Sequence, residues 1–143
     1  MTGTEGPIVA FFYCQNTPGA QESERQALEK KYGRQIRLFP LPCGGRFEPV
    51  QVLRALEAFA DAAYVITCPE GACRYFEGNL RAKKRMMRTK DLLEDIGLER
   101  DRVELFMRSK NGLNKLTSIV QELLKEASKL QPSPVFRYAE REG

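Results

Sequence analysis

Four cysteines, Cys14, Cys43, Cys68 and Cys73, carry the plainest capacity for chemistry in this chain of 143 residues. Cys68 and Cys73 form a C-x4-C pair, and the other two stand singly in distant segments. Histidine is absent. Its absence excludes Ser-His and Cys-His triads, and with them His-ligated zinc, haem and Rieske centres. Three readings of the thiols remain. They are unrelated buried or half-exposed side chains, or a zinc site, or the ligands of an iron–sulfur cluster. Structural zinc usually takes its ligands as two tight pairs, whereas cluster thiolates can be gathered from several loops. Two sulfide-bridged irons also span more space than one zinc ion, so the spacing favours the cluster modestly. The same residues spell C-x5-R, from Cys68 to Arg74. Between a strand and a helix, that segment suits a phosphohydrolase whose low-pKa thiolate attacks phosphorus while the arginine holds the oxygens. Two residues oppose it. Glu70 sets a carboxylate against a dianion, and Tyr75 replaces the Ser or Thr usual after the arginine.

The elements that must position these thiols are legible in the hydropathy pattern. With 42% hydrophobic and 29% charged residues, the chain can bury a core, and its length suits one domain. No apolar run approaches the roughly 18 residues of a membrane helix, and the segment from Met1 to Pro7 lacks the layout of a secretory signal. A cytoplasmic chain without a membrane partner is expected, a setting that argues against structural disulfides. Four β-like runs cover 7–13, 35–41, 62–67 and 102–107, the second ended by Pro40 and Pro42 and the fourth alternating as an edge strand does. Between them, helix-like stretches cover 21–32, which stops at Gly33, and a second that opens at Pro49 with Val50, Leu53, Leu56 and Phe59 at helical spacing. Two more cover 79–96 and 113–130. This alternation predicts an α/β fold: a small doubly wound, flavodoxin-like parallel sheet of about four strands in the order 2-1-3-4, with helices on both faces. Residues 1–130 then form the single domain and 131–143 an extended tail. In such a sheet every strand ends at the same edge, where open α/β folds place their ligands. All four cysteines project onto that rim, outside helices and strand interiors.

Charge is concentrated next to the same loop. From Arg74 to Lys90 the chain holds Arg74, Arg81, Lys83, Lys84, Arg85, Arg88 and Lys90 against Glu77 alone, although the whole chain is only +4. A solvated helix face is the plain explanation. Phosphate binding is the sharper one, but there is no Trp and no recognisable nucleic-acid motif. Docking of an acidic protein partner is therefore favoured over nucleic acid. Met86 and Met87 read as helix packing, not as haem ligands. Arg46, beside Cys43, is placed to donate hydrogen bonds to a cluster or a partner.

The segments Phe12-Tyr13-Cys14-Gln15-Asn16, Pro42-Cys43-Gly44-Gly45-Arg46 and Cys68-Pro69-Glu70-Gly71-Ala72-Cys73-Arg74-Tyr75-Phe76-Glu77-Gly78-Asn79, with the basic helix holding Ala82 and Arg85, resemble one family. It is the delta, iron–sulfur subunit family of the methyl-viologen-reducing hydrogenase, associated with heterodisulfide reductase complexes. The resemblance implies a small cytoplasmic electron-transfer subunit carrying a [2Fe–2S] cluster. It would pass electrons between a hydrogenase or another dehydrogenase module and a flavin-containing heterodisulfide-reductase-like subunit. It makes Cys14, Cys43, Cys68 and Cys73 the ligands. Arg46, Arg74, Arg81, Lys83, Lys84, Arg85 and Arg88 become the partner-binding set. Two positions depart from the family pattern: Thr17 stands where a second cysteine is usual, and Arg74 follows Cys73 in a segment where a histidine is common. Four thiols are thus left with no spare. The alternatives of another class are the C-x5-R phosphohydrolase and a basic nucleic-acid-binding module.

Overall fold

A computed structural model describes residues 7–15, 17, 19–41, 47–67, 78–107 and 115–130, with backbone alone for 78–80. The elements are β1 (Val9–Cys14), α1 (Glu22–Tyr32), β2 (Ile36–Leu41), α2 (Pro49–Ala58), β3 (Ala62–Thr67), α3 (Gly78–Asp95), β4 (Val103–Met107) and α4 (Leu116–Ala127), with single 3-10 turns at Gly33–Gln35 and Arg100–Arg102. The strands form one sheet in the order β2-β1-β3-β4, and every pair is parallel. The doubly wound sheet expected from the sequence is thus the observed fold, with the expected strand order.

Burial follows position in the sheet. The central strands β1 and β3 are buried at every residue, as strands covered on both faces must be, whereas β2 alternates and β4 is partly exposed. One core joins Ala10, Phe12, Ala63 and Val65 to Val52 and Leu56 of α2 and Met86 and Leu93 of α3. The other joins Phe11, Tyr13, Tyr64 and Ile66 to Leu28 of α1 and Ile119, Val120 and Leu123 of α4. Odd and even residues of the same strands feed opposite cores, the period-2 signature of a strand.

Several expectations are corrected. β1 begins at Val9 rather than Pro7 and runs through Cys14, because Cys14 still pairs with Leu41 of β2. Pro40 lies inside β2 opposite Tyr13. It is tolerated because β2 is the outermost strand of the sheet among the described residues. Arg102, expected to open the fourth strand, belongs to the 3-10 turn before it. On α2, Val50 is exposed, and the inward face is Val52, Ala55 and Leu56 with Leu53 and Phe59 partly buried. Two residues of helix turn the side chain by about 200°, which carries position 50 away from the core that position 52 enters. Met86 is buried but Met87 is 54% exposed, so only the first packs. The narrower α4 starts after Lys115, whose backbone is extended, and ends before Ser128. Leu113 and the 131–143 tail lie outside the described residues.

The edge opposite Cys14 is closed by a polar clamp. Asp61 Oδ2 accepts from the Ile8 amide at 3.0 Å, and the Asp61 amide donates to the Ile8 carbonyl at 2.7 Å. Arg102, 1% exposed, donates Nη1 to the Asp61 carbonyl at 2.9 Å and its Nε and Nη2 to the two Glu99 carboxylate oxygens at 3.2 and 3.1 Å. This forked pairing fixes the starts of β1, β3 and β4 together. The Arg102 hydrogen bond holds the Glu99 carboxyl below its ordinary value of about 4.5 against a smaller opposing effect of burial. A depressed carboxyl stabilises the fold above its unfolded pKa and loses that contribution as pH falls through the folded one. Arg102→Met should therefore cost about 2–3 kcal/mol at neutral pH. Urea denaturation at pH 7 and pH 3.5 should show a smaller acid loss in the variant than in the wild type.

Candidate metal centre and the basic helix beside it

Cys14 ends the central strand with 1% of its surface exposed. It shares strand parity with Phe12, so it occupies the sheet face covered by α2 and α3. Its partner across the last row is Leu41 of β2. On the other side the β1–β3 pairing ends at Tyr13 and Ile66, one residue before the buried Thr67. Cys43 follows Leu41 by two residues and Cys68 follows Thr67 by one. Cys43, Cys68, Cys73, Arg46 and Arg74 lie outside the described residues, as does the C-x5-R segment. Among the described residues, no three His, Cys, Asp or Glu side chains gather into a metal-sized group.

The turn that leaves β1 is held tightly. Gln15 donates its amide to the Leu41 carbonyl at 2.9 Å. The Cys14 carbonyl accepts twice from Thr17, from the amide at 2.9 Å and from Oγ1 at 2.7 Å. Thr17 is buried, and its hydroxyl is committed to this backbone acceptor. Sequence reasoning registered Thr17 only as a missing thiol, although a threonine three residues after a strand end is a recurrent side-chain-to-backbone pattern. Gly19 completes the turn at φ +77°, and a Cβ there would sit 2.9 Å from Glu24 Oε2 and 3.4 Å from the Leu116 amide. The turn lies beside the start of α4, and its left-handed backbone at Gly19 is what favours glycine.

Of the four thiols only Cys14 lies among the described residues. Its burial would suit a cluster ligand, and the Thr17 hydroxyl is already bonded to the Cys14 carbonyl.

α3 packs on the same face. Its inward residues are Ala82, Met86, Thr89 and Leu93, while Arg81, Lys83, Lys84 and Arg88 are exposed. Two further cations of α3, Arg85 and Lys90, bond to backbone carbonyls of distant segments. Arg85 donates Nη1 to the Phe47 carbonyl at 3.4 Å and lies 4.0 Å from Glu48 Oε1, which ties the helix to the segment that emerges after Cys43 and Arg46. Lys90 Nζ donates to the Arg100 and Val103 carbonyls at 3.1 and 2.7 Å and to Glu104 Oε2 at 3.2 Å. These anchors were invisible in sequence because their partners are up to 38 residues away. α3 has no acidic residue in its first turn and no basic one in its last, the reverse of what the helix macrodipole favours.

The fold is a small, parallel, doubly wound α/β sheet with a buried thiol at its carboxyl edge, the edge at which open α/β folds place their ligands. Residues 8–131 match the family described as methyl-viologen-reducing hydrogenase, delta subunit, and the chain belongs to that family. It is 32% identical over 129 residues to the vhu iron-sulfur subunit of the F420-non-reducing hydrogenase of Methanocaldococcus jannaschii, covering 90% of this chain and 96% of the relative. The protein of the same name from Methanopyrus kandleri is 31% identical over 128 residues, with the same coverage. A third relative is a subunit of the Ferredoxin/F(420)H(2)-dependent CoB-CoM heterodisulfide reductase of Methanosarcina acetivorans. It is 29% identical over 126 residues, which are 88% of this chain but 16% of that longer protein. No helix among the described residues is long and apolar enough to cross a membrane.

If the Thr17 hydroxyl holds the Cys14 turn, Thr17→Val should lose about 1 kcal/mol of stability. Thr17→Ser, which keeps the donor, should stay within about 0.5 kcal/mol of wild type. Chemical denaturation of the three proteins measures the difference.

Proposed function

We propose that the chain is an electron-transfer subunit, residues 1–130 forming one domain that holds a [2Fe–2S] cluster on Cys14, Cys43, Cys68 and Cys73. The observation that carries the reading is the position of Cys14. It is buried at the end of the central strand, paired with Leu41, the last residue of β2, and one row beyond the last β1–β3 pair, Tyr13 with Ile66. Cys43 and Cys68 follow the ends of β2 and β3 by two residues and one. The two sulfide-bridged irons would supply one-electron chemistry, taking an electron from a donor and passing it to an acceptor. The protein's own part is to bind and to shield. Cys14 offers its sulfur from a site closed to water, and the turn locked by Thr17 fixes the backbone that carries it. The amino-terminal half of α3 adds positive charge at the edge where four thiolates would accumulate negative charge, which offsets the charge of the cluster.

The partners proposed are a hydrogenase or other dehydrogenase subunit and a flavin-containing heterodisulfide-reductase-like subunit, met in the cytoplasm. A homologous segment lies within the longer heterodisulfide reductase protein of Methanosarcina acetivorans, so this unit occurs both covalently joined to such a protein and as a separate chain. Docking of the separate chain on a protein of that kind accounts for both arrangements. Arg46, Arg74, Arg81, Lys83, Lys84 and Arg88 form the partner surface in this reading, with Arg85 shared between the surface and its bond to Phe47.

Anaerobically purified wild type should contain iron and acid-labile sulfide in equal amounts, and Cys68→Ser or Cys73→Ser should lose both together with the visible absorbance. Iron-free protein after anaerobic reconstitution would refute the cluster, and stoichiometric zinc would establish the structural-metal alternative. Cys68-dependent hydrolysis of an arylphosphate, silenced by Arg74→Lys, would instead favour the phosphohydrolase.

The surface makes its own prediction. Lys83→Glu with Lys84→Glu should leave the fold intact and slow association with the co-encoded acidic partner, most visibly at low ionic strength. Association kinetics with a random DNA duplex as control separate a protein partner from nucleic acid.

A further inference from the structure

The outward face of α3 is more than a basic patch. Lys84, Arg88, Asp91 and Asp95 stand at i, i+4, i+7 and i+11, the spacing of one continuous helical stripe, and all four are exposed. The first two are positive and the last two negative. Within a single helix this block order is unfavourable twice over. Lys84–Arg88 and Asp91–Asp95 are like-charged pairs at i,i+4, and the positive block lies toward the amino terminus, against the macrodipole. One internal bond softens it, from Arg100 Nη1 to Asp91 Oδ1 at 2.7 Å, and Arg100 also reaches Glu94 at 3.3 Å. Arg88 and Asp91, at i,i+3, are the one opposite-sign step within the stripe, and among the described residues they form no ion pair with each other.

We infer that this stripe is a self-complementary docking surface for a second copy of the chain, paired antiparallel through α3. A two-fold axis at the level between residues 89 and 90 brings Lys84 opposite Asp95 of the copy and Arg88 opposite Asp91, each contact occurring twice as an isologous interface requires. The same operation sets the exposed apolar side chains Met87 and Leu92, at 54% and 37% exposure, at matching levels along the two helices. A copy in this orientation converts both like-charge blocks into opposite-charge pairs. The area available to a single pair of helices is below the roughly 1,200 Å² of a stable interface, so the association is weak and depends on salt. It covers Lys84 and Arg88, and an acidic partner of the kind proposed above competes with it for them. The inference does not depend on a cluster being bound, and iron content is measured separately.

Sedimentation velocity tests it. Wild type should sediment as a dimer in concentrated solution at about 20 mM salt and revert to monomer at about 0.5 M, where the Debye length falls to a few ångströms. Lys84→Glu with Arg88→Glu makes the stripe wholly acidic, and Asp91→Lys with Asp95→Lys makes it wholly basic. Each variant should be monomeric alone, and their equimolar mixture should form a heterodimer at least as tight as the wild-type dimer. Asp95→Lys alone, which spares the Arg100 bond, should weaken self-association severalfold, with unchanged helicity confirming the fold. A monomeric wild type at low salt overturns the inference. So does dimerisation that survives in both charge variants, or a mixture of the two that fails to pair.

Discussion

Everything at the cysteine edge depends on the parallel pairing of β1 with β2 on one side and β3 on the other. Parallel neighbours cannot be joined by a tight turn, so each connection crosses over through a helix and returns to start at the same end. Strand ends therefore collect on one edge, whatever the distance between them in sequence. Register matters as much as direction. A slip of one residue in β1 would send Cys14 to the α1 and α4 face and Tyr13 to the α2 and α3 face, and would expose every apolar residue of the strand to the wrong core. The burial of Phe11, Phe12 and Tyr13 on alternating sides is what fixes the thiol.

Polar contacts hold the layers to this frame at both ends. At the amino edge, Asp61, Arg102 and Glu99 join the starts of three strands. At the helix layer, Arg85 bonds the Phe47 carbonyl while Lys90 bonds the start of β4. α3 is thereby tethered at two points in its middle, by Arg85 to the segment after β2 and by Lys90 to the edge strand. The basic half of the helix keeps a set position relative to Cys14. Charge at this edge is thus a property of the fold and not of a loose surface tail.

The two-sided core, the central and edge roles of the strands and the glycine that stops α1 were legible in the sequence because each has a local signature, whereas the strand order came only by analogy with flavodoxin-like folds. Continuous apolar runs mark β1 and β3 as central, and alternation marks β4 as an edge. The candidate site was legible in part. Strand ends predicted where the thiols would gather, and Cys14 is found there. What escaped was set by contacts between distant residues. Pro40 looks like a strand breaker until β2 is known to be outermost. Arg85 and Lys90 look like surface cations until Phe47 and Val103 are brought beneath them. Thr17 looks like a lost ligand until its hydroxyl is seen on the Cys14 carbonyl. The blocks of opposite charge along α3 were counted as a single positive patch because the count stopped at Lys90, one residue before the sign reverses.

The central claim is that this edge carries a two-iron cluster to which Cys14 contributes. Electron paramagnetic resonance of anaerobically purified, chemically reduced protein addresses it most directly, because a reduced two-iron cluster holds one unpaired electron while zinc and free thiols hold none. The account predicts a signal that integrates to about one spin per two irons and disappears in Cys14→Ser. A silent spectrum from reconstituted protein, or a signal unchanged in Cys14→Ser, would contradict it.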